Sequence, residues 1–481
     1  MVQRFVTPEN KKWWTLGAVS VGLFMIMLDN TVVNVALPRM QSSLHMQLSQ
    51  LEWVVTGYAL TFAAFMLTGG KLADLFGRRL IFMAGLVVFT GASLACGLAP
   101  SGNFLIGARV VQGLGGALMN PATLSIITAT FPPKQRGTAI GIWAGVSAMA
   151  LAIGPLVGGL LTEHANWNWI FFINVPIGIL GLLAVPFFID ESRDTSLHQR
   201  PDIPGLATSG IGLFAITYAF IESNNYGWGS GRIVGAFVVG GVALVAFALL
   251  ERHQRVPMLD LSLFRNRTFS GANIAMLFVG LAMFGTFFYV SIYMQKVLDY
   301  SPVQAGASFL PMTILIILIA PQAGRISDRV GSRWLVGGGM MLLAIMLLYY
   351  SRLGAHETFW SILPGLLIGG VGMGSTMTPV TAAAMGAVPV DKAGVGSAVL
   401  NSMRQVGGSL GIAVMGAIVA SGIASSLGAG DTQGAAFLHG FHDGLRVAAL
   451  LAFAGAIVAT IAIRKTVHHD AHEPAHAVEA A

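Results

Sequence analysis

The chain has 481 residues, of which 55% are hydrophobic and only 10% charged. A soluble globular protein carries charge on about a quarter of its residues, so a water-facing surface over most of this chain is excluded. The net charge of +6 would suit nucleic acid, but the basic residues sit in short loops between apolar runs, which points to membrane orientation and to no nucleic-acid partner.

A bilayer-crossing helix needs about 20 mostly apolar residues, and such runs recur in chain order. The first six lie near 14–37, 51–70, 80–99, 104–128, 138–161 and 169–189. The first is too long for a signal-peptide core and lacks a small-residue cleavage site, so it is expected to stay as a span. A polar segment, 190–204, precedes two further runs near 205–222 and 232–250, and a charged linker, 251–267, follows them. The last six lie near 269–296, 303–324, 334–353, 359–386, 394–422 and 441–464. This layout predicts an all-α polytopic membrane protein with fourteen transmembrane helices. Its parts are an N-terminal six-helix bundle (14–189), a linker with two inserted helices (190–268), a C-terminal six-helix bundle (269–465) and a disordered cytoplasmic tail (466–481).

Charge tests the layout independently. With both termini cytoplasmic, 20 basic residues fall inside, from Arg4 to Lys465, against five outside: Arg39, Arg232, Lys296, Arg352 and Arg446. A bias of that size along the whole chain supports an even number of spans and a multi-pass protein of the inner (cytoplasmic) membrane.

Gly70-Lys-Leu-Ala-Asp74-Leu-Phe-Gly77-Arg78-Arg79 follows the second span, and Gly324-Arg-Ile-Ser-Asp328-Arg329-Val-Gly331-Ser-Arg333 follows the tenth. Two six-helix blocks with matched landmarks suit a transporter whose halves rock about a central site. In each loop the glycines permit a sharp reversal, and the aspartate can accept from free N–H groups at a helix start. The arginines can pair with acids of a neighbouring helix. One copy would read equally well as an orientation anchor; two at matched positions favour a gating role for Gly70, Asp74, Gly77, Arg78 and Asp328.

The first of these loops resembles the signature loop of the major facilitator superfamily, and the second its degenerate partner. Leu105 to Ala117, with Arg109, Gln112, Gly113 and Gly115, resembles the fourth-helix arginine motif. Gly154-Pro155-Leu-Val-Gly158-Gly159 resembles the fifth-helix motif that marks antiporters. Leu28-Asp29-Asn30-Thr31-Val-Val-Asn34-Val-Ala-Leu-Pro38 resembles the first-helix motif of the fourteen-span drug:proton antiporter branch, and Trp53 to Tyr58, Asn174 to Gly178 and Asn401 to Gly408 fit the same branch. One departure stands before the sixth span, where branch members often read Trp-Arg-Trp and this chain reads Trp167-Asn168-Trp169. The resemblance covers residues 14–465 and implies two six-helix bundles with two inserted helices.

Ionisable groups in mid-membrane are costly and usually functional. Setting aside residues at span ends, among them Glu52, Glu163, Glu222 and Asp299, leaves Asp29, Arg109 and Arg404. Burial disfavours the charged form of an acid and an adjacent arginine favours it, so conformation can switch Asp29 between protonated and charged; the alternative is a fixed structural pair. The resemblance implies that Arg109 lies near the first helix and tunes that acid. Arg404, in a glycine-rich stretch, reads better as a contact to backbone carbonyls than as a substrate ligand. Gly154 and Pro155 can bend the fifth helix, and Gly158 and Gly159 permit close contact there; gating is weighed against generic packing. Asn30, Asn34, Trp53, Thr56, Tyr58, Gln112, Asn120 and Asn174, with Arg404, are candidates to line a central cavity, although each alone reads more simply as an interhelical hydrogen-bonder or interfacial aromatic.

Few buried acids are expected, which favours a neutral, zwitterionic or singly charged lipophilic substrate over a dication. The one cysteine, Cys96, reads as a small buried hydrophobe. The histidines of the tail, His468 to His476, complete no metal site with the rest of the chain. No phosphate loop with a Walker lysine stands in the sequence and no nucleophile–base pair stands out, so neither ATP drive nor enzymatic activity is expected. The reading is a monomeric, cofactor-free, proton-driven exporter, with an outer-membrane partner left open. Its rivals are a dedicated exporter of one metabolite or self-made antibiotic, and a non-transporting membrane scaffold or lipid-handling relative.

Overall fold

A computed structural model of the protein describes residues 7, 10–193, 202–254, 257, 259–388 and 393–464. The expected tail and the basic residues Arg4, Arg200, Arg255, Lys392 and Lys465 lie outside them, as does the side chain of Asp328.

Among the described residues, fourteen helices are long and apolar enough to cross a bilayer. They are α1 (Lys11–Leu44), α2 (Leu48–Phe76), α3 (Arg78–Gly97), α4 (Gly102–Thr130), α5 (Pro133–His164), α6 (Trp169–Phe188), α7 (Ile203–Tyr226), α8 (Gly231–His253), α9 (Arg267–Lys296), α10 (Pro302–Ser327), α11 (Ser332–Tyr350), α12 (Phe359–Gly386), α13 (Ala393–Gly428) and α14 (Gln433–Ala462). The apolar run marks each membrane core, but a helix continues until its backbone groups are otherwise satisfied. Polar side chains set several starts. Gln47 and Gln50 form a reciprocal capping box at α2, Ser301 and Gln304 do the same at α10, and Asp202, Ser230 and Asn266 cap α7, α8 and α9. Thr432 likewise caps α14, which starts at Gln433, ahead of the predicted 441; α13 runs on to Gly428, past the predicted 422.

The helices form two six-helix bundles, α1–α6 and α9–α14, with the same internal pairing. α1 packs on α5 as α9 does on α13, α2 on α4 as α10 on α12, and α3 on α4 as α11 on α12. The halves meet along two seams, α2 with α13 and α5 with α10. The inserted pair is not wholly peripheral. α7 packs on both α2 and α13 and so flanks one seam, while α8 packs chiefly on α7 and presents Val238, Val242 and Val245 outward.

The two repeated loops adopt the same backbone. Gly77, between α2 and α3, has φ +121°, and Gly331, between α10 and α11, has φ +89°. The expected capping role of Asp74 falls to another residue. Asp74 Oδ1 instead accepts from Arg78 Nε at 2.9 Å. Glu191, just after α6, takes the N–H groups of Arg79 and Leu80 at 3.1 Å each. A Cβ on Gly77 would lie 2.6 Å from that carboxyl. Gly77→Ala is therefore expected to lower stability by roughly 1–2 kcal/mol from the left-handed backbone alone, with the lost cap in addition. Thermal unfolding of the detergent-solubilised protein measures it, and an unchanged midpoint would contradict this account of the loop.

Candidate functional site

Asp29 of α1 and Arg109 of α4 are 0% and 1% exposed. Charges so deep persist only when paired and hydrogen-bonded, and this pair is enclosed. Arg109 Nη1 donates to Asp29 Oδ2 and, at 2.8 Å, to Gln112 Oε1. Its Nε donates to the Val54 carbonyl of α2 at 3.0 Å. The guanidinium lies 4.1 Å from the centroid of the Tyr58 ring, within reach of a cation–π contact. Gln112, three residues on and on the same face of α4, donates to Asp29 Oδ1 at 3.0 Å and to Ser93 Oγ of α3 at 3.3 Å. Asn174 of α6 donates to the same Ser93 oxygen at 3.1 Å, and Cys96 Sγ donates weakly to Gln112 Oε1 at 3.6 Å. Five helices thus converge on one carboxylate. Glycine permits it: a Cβ on Gly113 would lie 2.4 Å from the Tyr58 carbonyl oxygen, so α4 approaches α2 closely enough for Arg109 to reach the α2 backbone.

Of the residues predicted to line a cavity, Tyr58, Gln112 and Asn174 belong to this network. Asn30 faces the other half, where its Oδ1 accepts from Gln405 Nε2 at 3.5 Å. Trp53 turns elsewhere: its Nε1 donates to Glu222 of the inserted α7 at 3.3 Å. Thr56 bonds within its own helix, to the Glu52 carbonyl. Asn34 and Asn120 accept through their backbone carbonyls, from Ser291 Oγ at 3.1 Å and Thr123 Oγ1 at 2.7 Å. Arg404 is half-buried, and its Nε has no hydrogen-bond partner among the described residues.

The glycines of α5 divide between two neighbours. A Cβ on Gly154 would lie 1.9 Å from Thr31 Oγ1, and one on Gly158 2.6 Å from the Val32 carbonyl oxygen, both on α1. Gly159 faces the other half, where its Cβ would lie 2.4 Å from the Pro302 carbonyl oxygen of α10. Gly306 of α10 returns the contact: a Cβ there would lie 2.1 Å from the Pro155 carbonyl oxygen. This crossing lies at the end of the molecule opposite Gly77 and Gly331. Other polar links between the halves gather at that far end. Gln295 donates to the Val35 carbonyl at 2.9 Å, the Val303 N–H to Glu163 at 2.9 Å, and Lys296 to Gln41.

Buried acids are less scarce than expected. Glu52 is 2% exposed, Glu251 3% and Asp202 6%. Asp202 caps α7 and accepts from Gln254, and Glu251 accepts from the Leu259 N–H at 2.8 Å, so both serve structure at the base of the inserted pair. The argument from scarcity to substrate charge therefore does not stand. Ser93 carried no sequence signal, since a serine in an apolar run is ordinary. Glu52 had one, but its place at a span end set it aside.

The sequence pattern of the Major Facilitator Superfamily matches residues 19–412. The chain is 36% identical over 461 residues to the puromycin resistance protein of Streptomyces alboniger, covering 95% of this chain and 91% of that protein. It is also 36% identical to the multidrug resistance protein Stp of Mycobacterium tuberculosis, over 86% of this chain and 77% of that one. Among solved structures, a bacterial homologue of the human lysosomal transporter Spinster, in an inward-facing and unoccupied conformation, shares the fold. Its TM-score is 0.69 with 17% identity, over 96% of this chain and 98% of that one. With the buried acid–arginine network, the paired loops and these likenesses together, the chain belongs to the Major Facilitator Superfamily and is a non-enzymatic membrane transporter, similar to proteins named for drug and antibiotic resistance.

Proposed function

We propose that the protein exports lipophilic drugs or toxic small molecules across the cytoplasmic membrane in exchange for protons, by alternating access, with both termini in the cytoplasm. The buried Asp29–Arg109–Gln112 network carries this reading. One carboxylate, held by a cation and an amide inside one half, is a group whose protonation can be made to depend on how the halves are arranged. With Asp29 charged and paired, the protein takes up substrate from the inside; after rocking, protonation of Asp29 frees Arg109 and favours release outside, and the proton enters on the return. The bias of basic residues toward the Gly77 end supports a cytoplasmic position for that end, and the links at the far end then correspond to a protein shut toward the outside. Gly159 and Gly306 form the tight part of that closure. The protein needs no cofactor beyond the proton gradient.

A second reading has its own support. One relative is named for resistance to a single antibiotic, puromycin, and another for multidrug resistance, so the alternative is export of one compound. The test is susceptibility and accumulation in a pump-deficient bacterial host, across a panel of dyes, lipophilic cations and neutral antibiotics, with and without a protonophore. Multidrug export predicts reduced accumulation of several unrelated compounds, restored by the protonophore. Protection against one compound alone would favour the dedicated exporter, and protection unaffected by the protonophore would refute proton drive.

A further inference from the structure

We propose that Glu52 is a second proton-binding group, whose protonated carboxyl bonds to Tyr289 across the two halves and latches the outer end shut. This rests on the exporter reading above. Glu52 is five residues into α2 yet 2% exposed, because the opposite half covers it. Tyr289 of α9, 0% exposed, donates its hydroxyl to Glu52 Oε1 at 2.6 Å. On α13 the helix presents Gly416, where a Cβ would lie 2.2 Å from the same oxygen, so the carboxyl sits flush against the other half's backbone. The charged group facing it from α7 is Glu222, which Trp53 and Asn225 hold by hydrogen bonds. Among the described residues Glu52 joins no ion pair.

A carboxylate buried against an apolar wall, beside another acid and without a cation, is expensive, and one phenol O–H bond offsets only part of that cost, so the neutral acid, which keeps the Tyr289 bond, suits the site better. The closed arrangement therefore demands the protonated form. When the halves part, water reaches the carboxyl and its O–H bond breaks, the proton passing to the outer solution. Reclosing requires an outer proton to form that bond again. The proton returns to the side it came from, so Glu52 adds nothing to the exchange stoichiometry carried by Asp29. It makes the rate of closure follow outer pH instead.

The experiment places spin labels at Asn166 and His356, exposed at the outer ends of the two halves, and measures the distance between them in liposomes as pH is varied. In wild type the open population is expected to collapse as pH falls. Glu52→Gln, which keeps the volume and stays uncharged, is expected to be closed at every pH. Tyr289→Phe keeps the ring and loses the bond, and is expected to lower the closed-to-open ratio at low pH by roughly two- to tenfold. A Glu52→Gln protein that titrates like wild type would overturn the latch, as would Tyr289→Phe closing as fully as wild type. Substrate-driven proton flux, measured in parallel, separates the two readings. Normal flux with a wild-type titration in Glu52→Gln removes the latch alone, and a Glu52-dependent titration without any flux removes the exporter alone.

Discussion

Asp29→Asn is expected to abolish uphill export while leaving a folded protein. Asparagine keeps the shape, and its one carbonyl oxygen can accept from Arg109 while its NH2 replaces the acceptor that Gln112 uses. Arg109 keeps its bonds to Val54 and Gln112 and its place over the Tyr58 ring, but residue 29 can no longer bind and release a proton. A unit charge moving through 100 mV gains about 2.3 kcal/mol. At about 1.4 kcal/mol per tenfold, a proton-motive force of roughly 150 mV sustains a gradient of a few hundredfold for one-to-one exchange. The variant is expected to bring that gradient to unity, read as steady-state accumulation in inside-out vesicles. Arg109→Ala should behave differently. It removes the whole guanidinium, with its bonds to Val54 and Gln112 and its contact with the Tyr58 ring, and leaves a cavity beside an unpaired Asp29. Breaking a buried pair in this way costs about 3–5 kcal/mol, so this variant is expected to fold poorly. Combining Arg109→Gln with Asp29→Asn should recover folding without recovering transport. Uphill export surviving in Asp29→Asn would place coupling elsewhere.

The second large effect is expected at the crossing of α5 and α10. Gly159→Val puts a branched side chain where a Cβ alone would be 2.4 Å from a backbone oxygen of the other half and 2.9 Å from the Val303 Cα. Backbone atoms of a packed helix cannot swing aside, so the overlap is relieved only by parting the halves. Overpacking costs roughly 1–3 kcal/mol, which shifts the balance between closed and open outer ends about 5- to 150-fold toward open. The expected phenotype is slow export with a protein held open outward, detected as lasting reactivity of a cysteine placed at Asn34. The native Cys96 is buried and does not compete for the reagent. Gly158→Ala is the control. Its neighbour is Val32 of the same half, so it is expected to lower stability without favouring either conformation. Equal outward opening in both variants would refute the assignment of Gly159 to closure.

Much of this was legible in the sequence because the bilayer is so demanding a solvent. Fourteen apolar runs have few alternative readings, and the spacing of Arg109 and Gln112 alone puts both on one face. The repeated glycines at 77 and 331 could be matched by eye because each occupies the same left-handed turn. Two kinds of feature stayed hidden. Trp53 meets Glu222 only because α7 docks against α2, and no local pattern encodes that. Glu52 stands at a span end, where a sequence gives every reason to expect water. In a pair of bundles closed at one end, the opposite half covers such ends, so a residue near a helix terminus can be as dry as one at mid-span. The cap at α3 escapes the sequence for a similar reason. Asp74 is near in sequence, but Glu191, 112 residues from Arg79, supplies the bond.

The most direct test of the account is proton movement in proteoliposomes that contain only this protein and a trapped pH-sensitive dye. An exported compound identified by the susceptibility panel is supplied as a gradient, without ATP. The account predicts that substrate moving down its gradient drives protons the opposite way in wild type, and that Asp29→Asn shows no such flux. Substrate crossing in wild type with no proton movement, or proton exchange that persists in Asp29→Asn, would contradict it.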